Sequence, residues 1–226
     1  MSCARLLVAL ALCLGAAVAF GEQLPPFPTC AATSGPGSSD DTGFAPREND
    51  RLWLCEEGQD KAAAFLSESV FKCYRTEFDD AGRATCIAKA RSRLLSSLPG
   101  PSNAYPCPAC LDRPAMMDEI VVRYRAFADR VMCDGGMSAC QKKVLQAAGR
   151  LSLRIIGMHM GLWAKINKGG CTQPFEDHAK HLFYSQTKRV VDCPACLDLT
   201  TYANDVEYDV DSHNGEIFCA TESDLR

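Results

Sequence analysis

ACQKKVLQAAGRLSLRIIGMHMGLWAKIN, residues 139–167, is the stretch on which the fold turns. Val144, Ala148, Leu151, Ile155, Met158 and Leu162 recur at alternating steps of four and three, and Leu145, Ile156, Met160 and Trp163 widen the stripe. That period puts them on one side of an α-helix, so the segment reads as one long amphipathic helix with an apolar side to bury. Gly169-Gly170 ends it, since glycine takes up the terminating left-handed conformation at little steric cost.

The stretch has a counterpart 85 positions earlier. Ala62, Ala63, Leu66 and Ser67 fall on Ala147, Ala148, Leu151 and Ser152, while Val70, Phe71 and Phe78 fall on Ile155, Ile156 and Trp163. The cysteines keep the same register. From Cys55 the steps to Cys86, Cys107, Cys110 and Cys133 are 31, 21, 3 and 23; from Cys140 the steps to Cys171, Cys193, Cys196 and Cys219 are 31, 22, 3 and 23. The hexapeptide Cys107-Pro108-Ala109-Cys110-Leu111-Asp112 recurs whole as Cys193-Pro194-Ala195-Cys196-Leu197-Asp198. Shared spacing and shared residues together read as an internal duplication. The expected organisation is a first five-cysteine unit over 51–133, a second over 134–219 and a tail over 220–226.

The flanking segments fit helices. Residues 56–77 are rich in Ala, Glu, Lys and Leu, with Ala62, Leu66, Val70 and Cys73 on one side. A basic helix over 84–95 ends at Pro99-Gly100-Pro101. Asp112 before Pro114 is an N-cap signature for a helix with Met117, Ile120 or Val121, Tyr124, Phe127 and Val131 inward. Another helix is expected over 175–190. Residues 200–218 read differently, because Val206, Tyr208 and Val210 alternate with Asp205, Glu207, Asp209 and Asp211, the period of a solvated strand or extended tail. The fold class expected is all-α and disulfide-rich, two roughly three-helix units with an irregular N-terminal arm and a short C-terminal strand.

The chain opens with a leader. Residues 1–5 carry one positive charge, residues 6–18 form an apolar run, and Ala17-Val18-Ala19 offers the small-x-small pattern of a signal-peptidase site. The apolar run is shorter than the ~20 residues a spanning helix needs. Residues 144–166 contain Arg150, Arg154, His159 and Lys165, which are costly at a bilayer centre. A secreted chain with no membrane span is therefore expected. Residues 20–50, with Pro25, Pro26, Pro28 and the run Ser34-Gly35-Pro36-Gly37-Ser38-Ser39, read as an irregular arm.

Cleavage after Ala19 leaves 207 of the 226 residues and moves the formal charge from −4 to −5, since Arg5 departs and no acid does. This acidic balance argues against nucleic acid or an anionic membrane as the main partner. Two of the fourteen cysteines, Cys3 and Cys13, leave with the leader. The other twelve are Cys30, Cys55, Cys73, Cys86, Cys107, Cys110, Cys133, Cys140, Cys171, Cys193, Cys196 and Cys219. An even number in a secreted chain reads as a disulfide framework. Five cysteines cannot satisfy themselves, so each unit must send a thiol elsewhere. Cys30 and Cys73 lie outside the repeated set; Cys73 aligns with Met158 on the apolar stripe, which points its sulfur inward. One scheme gives each unit two internal bridges, with Cys73 taking the spare thiol of the first and Cys30 that of the second. The other joins the two spare thiols and pairs Cys30 with Cys73.

Three residue groups invite a chemical reading. A Cys-Pro-Ala-Cys pair can be a redox centre, but that chemistry sits on a strand-to-helix turn of a βαβ scaffold, and no such alternation surrounds either copy. Cys107, Cys110, Cys193 and Cys196 have the ligand type of a four-thiolate zinc site, which an oxidising compartment disfavours. His178 and His181 share a helix face without the Glu and the i, i+4 spacing of a metalloprotease helix, and the acids after Asp205 lack the glycine and terminal Glu of a calcium loop. The reading expected is a protein without cofactor or resident metal. It would bind an extracellular protein or receptor in a hormone-like or toxin-like way and would not be an enzyme. The alternatives are a thiol–disulfide oxidoreductase and a carrier of a small apolar ligand.

Overall fold

The computed structural model describes residues 52–98, 107, 112–166 and 173–213. The expected leader, arm and tail, the glycine stop at 169–170, and Cys30, Cys110, Cys171 and Cys219 lie outside them. Six helices follow in order: α1 (Leu52–Thr76), α2 (Asp80–Ser97), α3 (Arg113–Val131), α4 (Ala139–Ile166), α5 (Gln173–Thr187) and α6 (Leu199–Ser212). The class is all-α, with no strand among the described residues.

Four of the six starts have a chemical reason on view. Asp79 accepts from the Gly82 amide at 2.7 Å to open α2. Asp112 accepts from Ala115 N at 3.1 Å, with Pro114 in the first turn of α3. Asp198 accepts from Thr200 N at 2.9 Å and Thr201 N at 3.2 Å to open α6. Before α4 a reciprocal box forms, Gln141 N donating to Ser138 Oγ (3.2 Å) and Ser138 N to Gln141 Oε1 (2.7 Å). These side chains satisfy amides that the first helical turn leaves unpaired.

The most extensive packing is α1 against α4; α2 and α3 also pack on α1, and α5 and α6 on α4. Ser67 meets Ser152, Gly149 lies against Phe71 and Glu68, and Lys142 reaches Phe78, so partners advance along one helix as they recede along the other. The two helices therefore run antiparallel. Small residues let them approach closely. Ala63, Ala147, Ala148, Ser67 and Ser152 are buried at the contact, and a Cβ on Gly149 would stand 3.3 Å from that of Phe71. The Ser67 hydroxyl lies 3.0 Å from that of Ser152, which donates to the Gly149 carbonyl, so neither buried hydroxyl is orphaned.

The residues expected inward on α3 and, as far as Met158, on α4 are inward; the side chains of Met160, Leu162 and Trp163 lie outside the described ones. Met117, Ile120, Tyr124, Phe127 and Val131 are buried, as are Val144, Ala148, Leu151 and Ile155, and Met158 is partly buried against the core. An aromatic chain crosses the molecule: Phe71–Tyr124 (5.8 Å), Tyr124–Phe127 (6.0 Å), Phe127–Tyr202 (5.9 Å) and Tyr202–Phe183 (6.2 Å between centroids). It runs from α1 through α3 to α6 and α5, each pair adding about 0.5–1.5 kcal/mol beyond its buried area.

The strand expected after residue 200 is a helix. Tyr202, Ala203, Val206 and Val210 are buried, while Tyr208 is 70% exposed. The inward set follows steps of three and four rather than the alternation of Val206, Tyr208 and Val210. Asp198 starts the helix, and Asp205, Glu207 and Asp209 meet cations from α3 and α5. Alternation over a few residues is weak against a cap and a tertiary partner.

Candidate functional site

Eight of the fourteen cysteines form four bridges among the described residues. Cys55–Cys107 and Cys140–Cys193 (Cα–Cα 5.4 and 5.2 Å) tie the starts of α1 and α4 to the segments before α3 and α6. They occupy corresponding rungs of the two cysteine ladders. Cys73–Cys86 staples α1 to α2. Cys133–Cys196 joins the turn after α3 to the start of α6 and so links the two sets of helices. Each pairing scheme holds in one part and fails in another. Cys73 takes a thiol of the first unit, Cys86, as the first scheme has it, but Cys133 leaves that unit for Cys196, so the unit does not hold two internal bridges. The second scheme's bridge across the units is present, but Cys73 is taken by Cys86 and does not meet Cys30.

The second Cys-Pro-Ala-Cys motif sends its two sulfurs to different partners, Cys193 to Cys140 and Cys196 to Cys133. A dithiol redox couple needs the two thiols to close on each other, and these do not. In the first motif Cys107 is bound to Cys55, and Arg113 donates to the two sulfurs at 2.8 and 3.2 Å. Burial pushes the Arg113 guanidinium below its ordinary pKa.

The histidines and acids are not brought to one point. His178 and His181 are exposed on α5. Among the described residues no group of three or more His, Cys, Asp or Glu is placed to hold a metal ion. Asp205 pairs with Arg130 (2.7 Å), Asp209 with Arg123 (3.4 Å) and Glu207 with Lys180. Burial would lower the Lys180 pKa, but the Glu207 hydrogen bond and charge, followed by Asp177, raise it overall. Arg130 also lies over the rings of Phe127 and Tyr202, 5.6 and 5.4 Å from their centroids. Burial raises the Tyr202 hydroxyl pKa strongly, and that hydroxyl donates to the Phe127 carbonyl at 3.2 Å. The acid row is thus the glue between α3, α5 and α6.

Two adjoining grooves stand apart from this neutralised interior. One lies between α1 and α4 and is lined by Glu68, Lys72, Arg75, Gln146 and Arg150. The other lies between the start of α4 and the end of α5, lined by Lys143, Gln186, Lys188, Arg189, Val190 and Val191. Arg150 Nη1 donates to Gln186 Oε1 at 3.1 Å, which joins them into one face. Sequence reading passed over this face, although a signal existed: residues 135–175 contain no Asp or Glu at all.

No helix of the described residues is long and apolar enough to cross a membrane. Comparison with family models, with curated proteins and with solved structures gives no match for this chain.

Proposed function

We propose that this protein is secreted through its 1–19 leader and acts by binding an extracellular partner, with its disulfides holding the binding surface in shape. The observation that carries the reading is the use made of Cys193 and Cys196. Three residues apart, they anchor the start of α6 to two different places, Cys140 and Cys133. Cysteine chemistry spent this way fixes helices relative to one another, and a pre-fixed surface loses less conformational freedom when a partner docks. Four bridges in a helical chain also suit an oxidising compartment. The duplicated units, 51–133 and 134–219, belong to the same reading, with Ser67 and Ser152 meeting at matched positions where α1 crosses α4.

The oxidoreductase alternative loses its intramotif couple at Cys193/Cys196. The carrier alternative has little support, because both grooves described above are lined by charged side chains.

The test is expression of the full chain with its own leader in a secreting eukaryotic cell. The reading expects protein in the medium beginning at Phe20, and saturable binding to a receptor-bearing surface that is lost after full reduction and alkylation. Retention inside the cell with free thiols, or catalytic turnover of a disulfide substrate by the oxidised chain, would overturn it.

A further inference from the structure

We infer that the cationic face made by Lys72, Arg75, Lys143, Arg150, Lys188 and Arg189 docks a sulfated polysaccharide. The inference rests on the extracellular reading above for the occupant it names. Its basis is the gathering of cations without acid partners around two adjoining grooves. Elsewhere several cations are paired, Lys61 with Glu57, Arg83 with Asp80, Arg91 with Asp118, Arg123 with Asp209, Arg130 with Asp205 and Lys180 with Glu207, while exposed cations such as Lys89 and Arg93 on α2 line neither groove. Among the described residues, none of the six on this face has a carboxylate within ion-pair distance; Arg150 instead meets the neutral amide of Gln186. Only Glu68, at one edge, brings an acid to the grooves.

The face is also continuous and drawn from three places: α1, α4 and the segment just after α5. Lys143 and Arg150 are seven residues apart on α4, two turns along the same side, which spaces them by about 10 Å. Unscreened like charges held this way repel one another, and a partner bearing regularly spaced anions relieves that repulsion while releasing its own counterions. The charge is segregated against the balance of the chain: the formal net charge is −4, and α6 carries four acids and no Lys or Arg.

The chemistry of the lining selects among polyanions. No aromatic side chain lines either groove, so the stacking platform that single-stranded nucleic acid uses is missing from them. Membrane-surface binding needs a broad apolar side beside the cations, and the grooves offer little beyond Leu145, Val190 and Val191. A linear, saturated, sulfate-bearing sugar needs neither. It asks for spaced cations and amide groups such as Gln146 and Gln186, which are present.

The experiment uses the purified full chain and size-defined heparin fragments, followed by titration calorimetry and by salt elution from immobilised heparin. Lys143→Glu/Lys188→Glu is compared with Lys89→Glu/Arg93→Glu, two exposed cations of α2, so that the change in net charge is the same. All four side chains are exposed, and helical circular dichroism checks the fold. Expected is saturable binding that weakens steeply with salt and falls on the order of tenfold or more in the first variant, with little change in the second. Absence of binding at low ionic strength, equal losses in both variants, or equal affinity for desulfated heparin would overturn the inference. A heparin result depends only on the face, whereas failure of secretion would sink the extracellular reading and leave this measurement standing.

Discussion

Opening the Cys133–Cys196 bridge is expected to cost about a third less than its 63-residue separation suggests. An isolated loop of that length would be worth about 4.3 kcal/mol in the chain-entropy model. Cys140–Cys193 already brings the two segments together, however, so the ring that Cys133–Cys196 adds runs only over residues 133–140 and 193–196. A ring of about a dozen residues is worth about 3 kcal/mol. The same reasoning applies in reverse: losing Cys140–Cys193 alone leaves the long loop closed by Cys133–Cys196 and also forfeits about 3 kcal/mol of loop entropy, while losing both forfeits about 7. The perturbations are Cys133→Ser/Cys196→Ser, Cys140→Ala/Cys193→Ala and their combination, each measured by urea unfolding of the oxidised protein. Cys133 and Cys196 are exposed, so the first variant loses little packing. Cys140 is buried, and its extra packing cost cancels in the cycle. A coupling of about 1 kcal/mol, with the combined loss exceeding the sum, is expected. Simple additivity with about 4 kcal/mol lost from the exposed bridge alone would refute the shared-ring argument.

Gln141→Ala removes the α4 capping box and bonds to the Val131 carbonyl (3.1 Å) and Asp134 (2.6 Å) from a fully buried side chain; a loss of about 2–3 kcal/mol is expected in chemical unfolding. Gly149→Leu drives a branched side chain into Phe71 and Glu68, so a fall of about 1–3 kcal/mol or more is expected in the same assay. The Thr201 hydroxyl, followed by the Thr201 and Thr200 amides, holds Asp198 below its ordinary pKa, and the Gly136 amide, followed by Gln141, does so for Asp134. Since both folded values lie below the unfolded one, their stabilisation is present above about pH 4 and fades as pH falls through the folded values; Asp198→Asn should flatten the acid side of a stability–pH curve. Carried through the two ladders, the Cys133–Cys196 bridge corresponds to Cys219–Cys110, which leaves Cys30 for Cys171. Non-reducing peptide mapping is expected to recover both pairs, and a Cys110–Cys171 peptide would contradict the carried-over pattern.

Long-range periodicity was the readable part of this chain. The stripe from Val144 to Met158 and the inward face of α3 were legible because burial of one helix side leaves its mark every three or four residues. Asp112 was readable as a cap for the same local reason. The acids after Asp205 misled because their alternation is real but their partners are remote: Arg130, Arg123 and Lys180 come from α3 and α5, and no local pattern announces them. The cationic face was missed for the complementary cause. Lys72, Arg75, Lys143 and Arg150 look like ordinary solvated helix residues until α1 and α4 pack side by side.

Parity was sound as a constraint and insufficient as a map. An odd ladder requires each unit to send a thiol outward, and Cys133 does leave its unit for Cys196. Which thiol leaves is decided by helix geometry. Cys73 lies on the buried side of α1, 2% exposed, and α2 returns along that helix after a short turn, so Cys86 arrives within bonding distance. The corresponding position in the second unit is Met158, which offers no thiol and packs partly against the core. The two units therefore cannot carry identical bridges even though their ladders match. A difference at one aligned position, Cys73 against Met158, is enough to make the bridging of the two ladders differ.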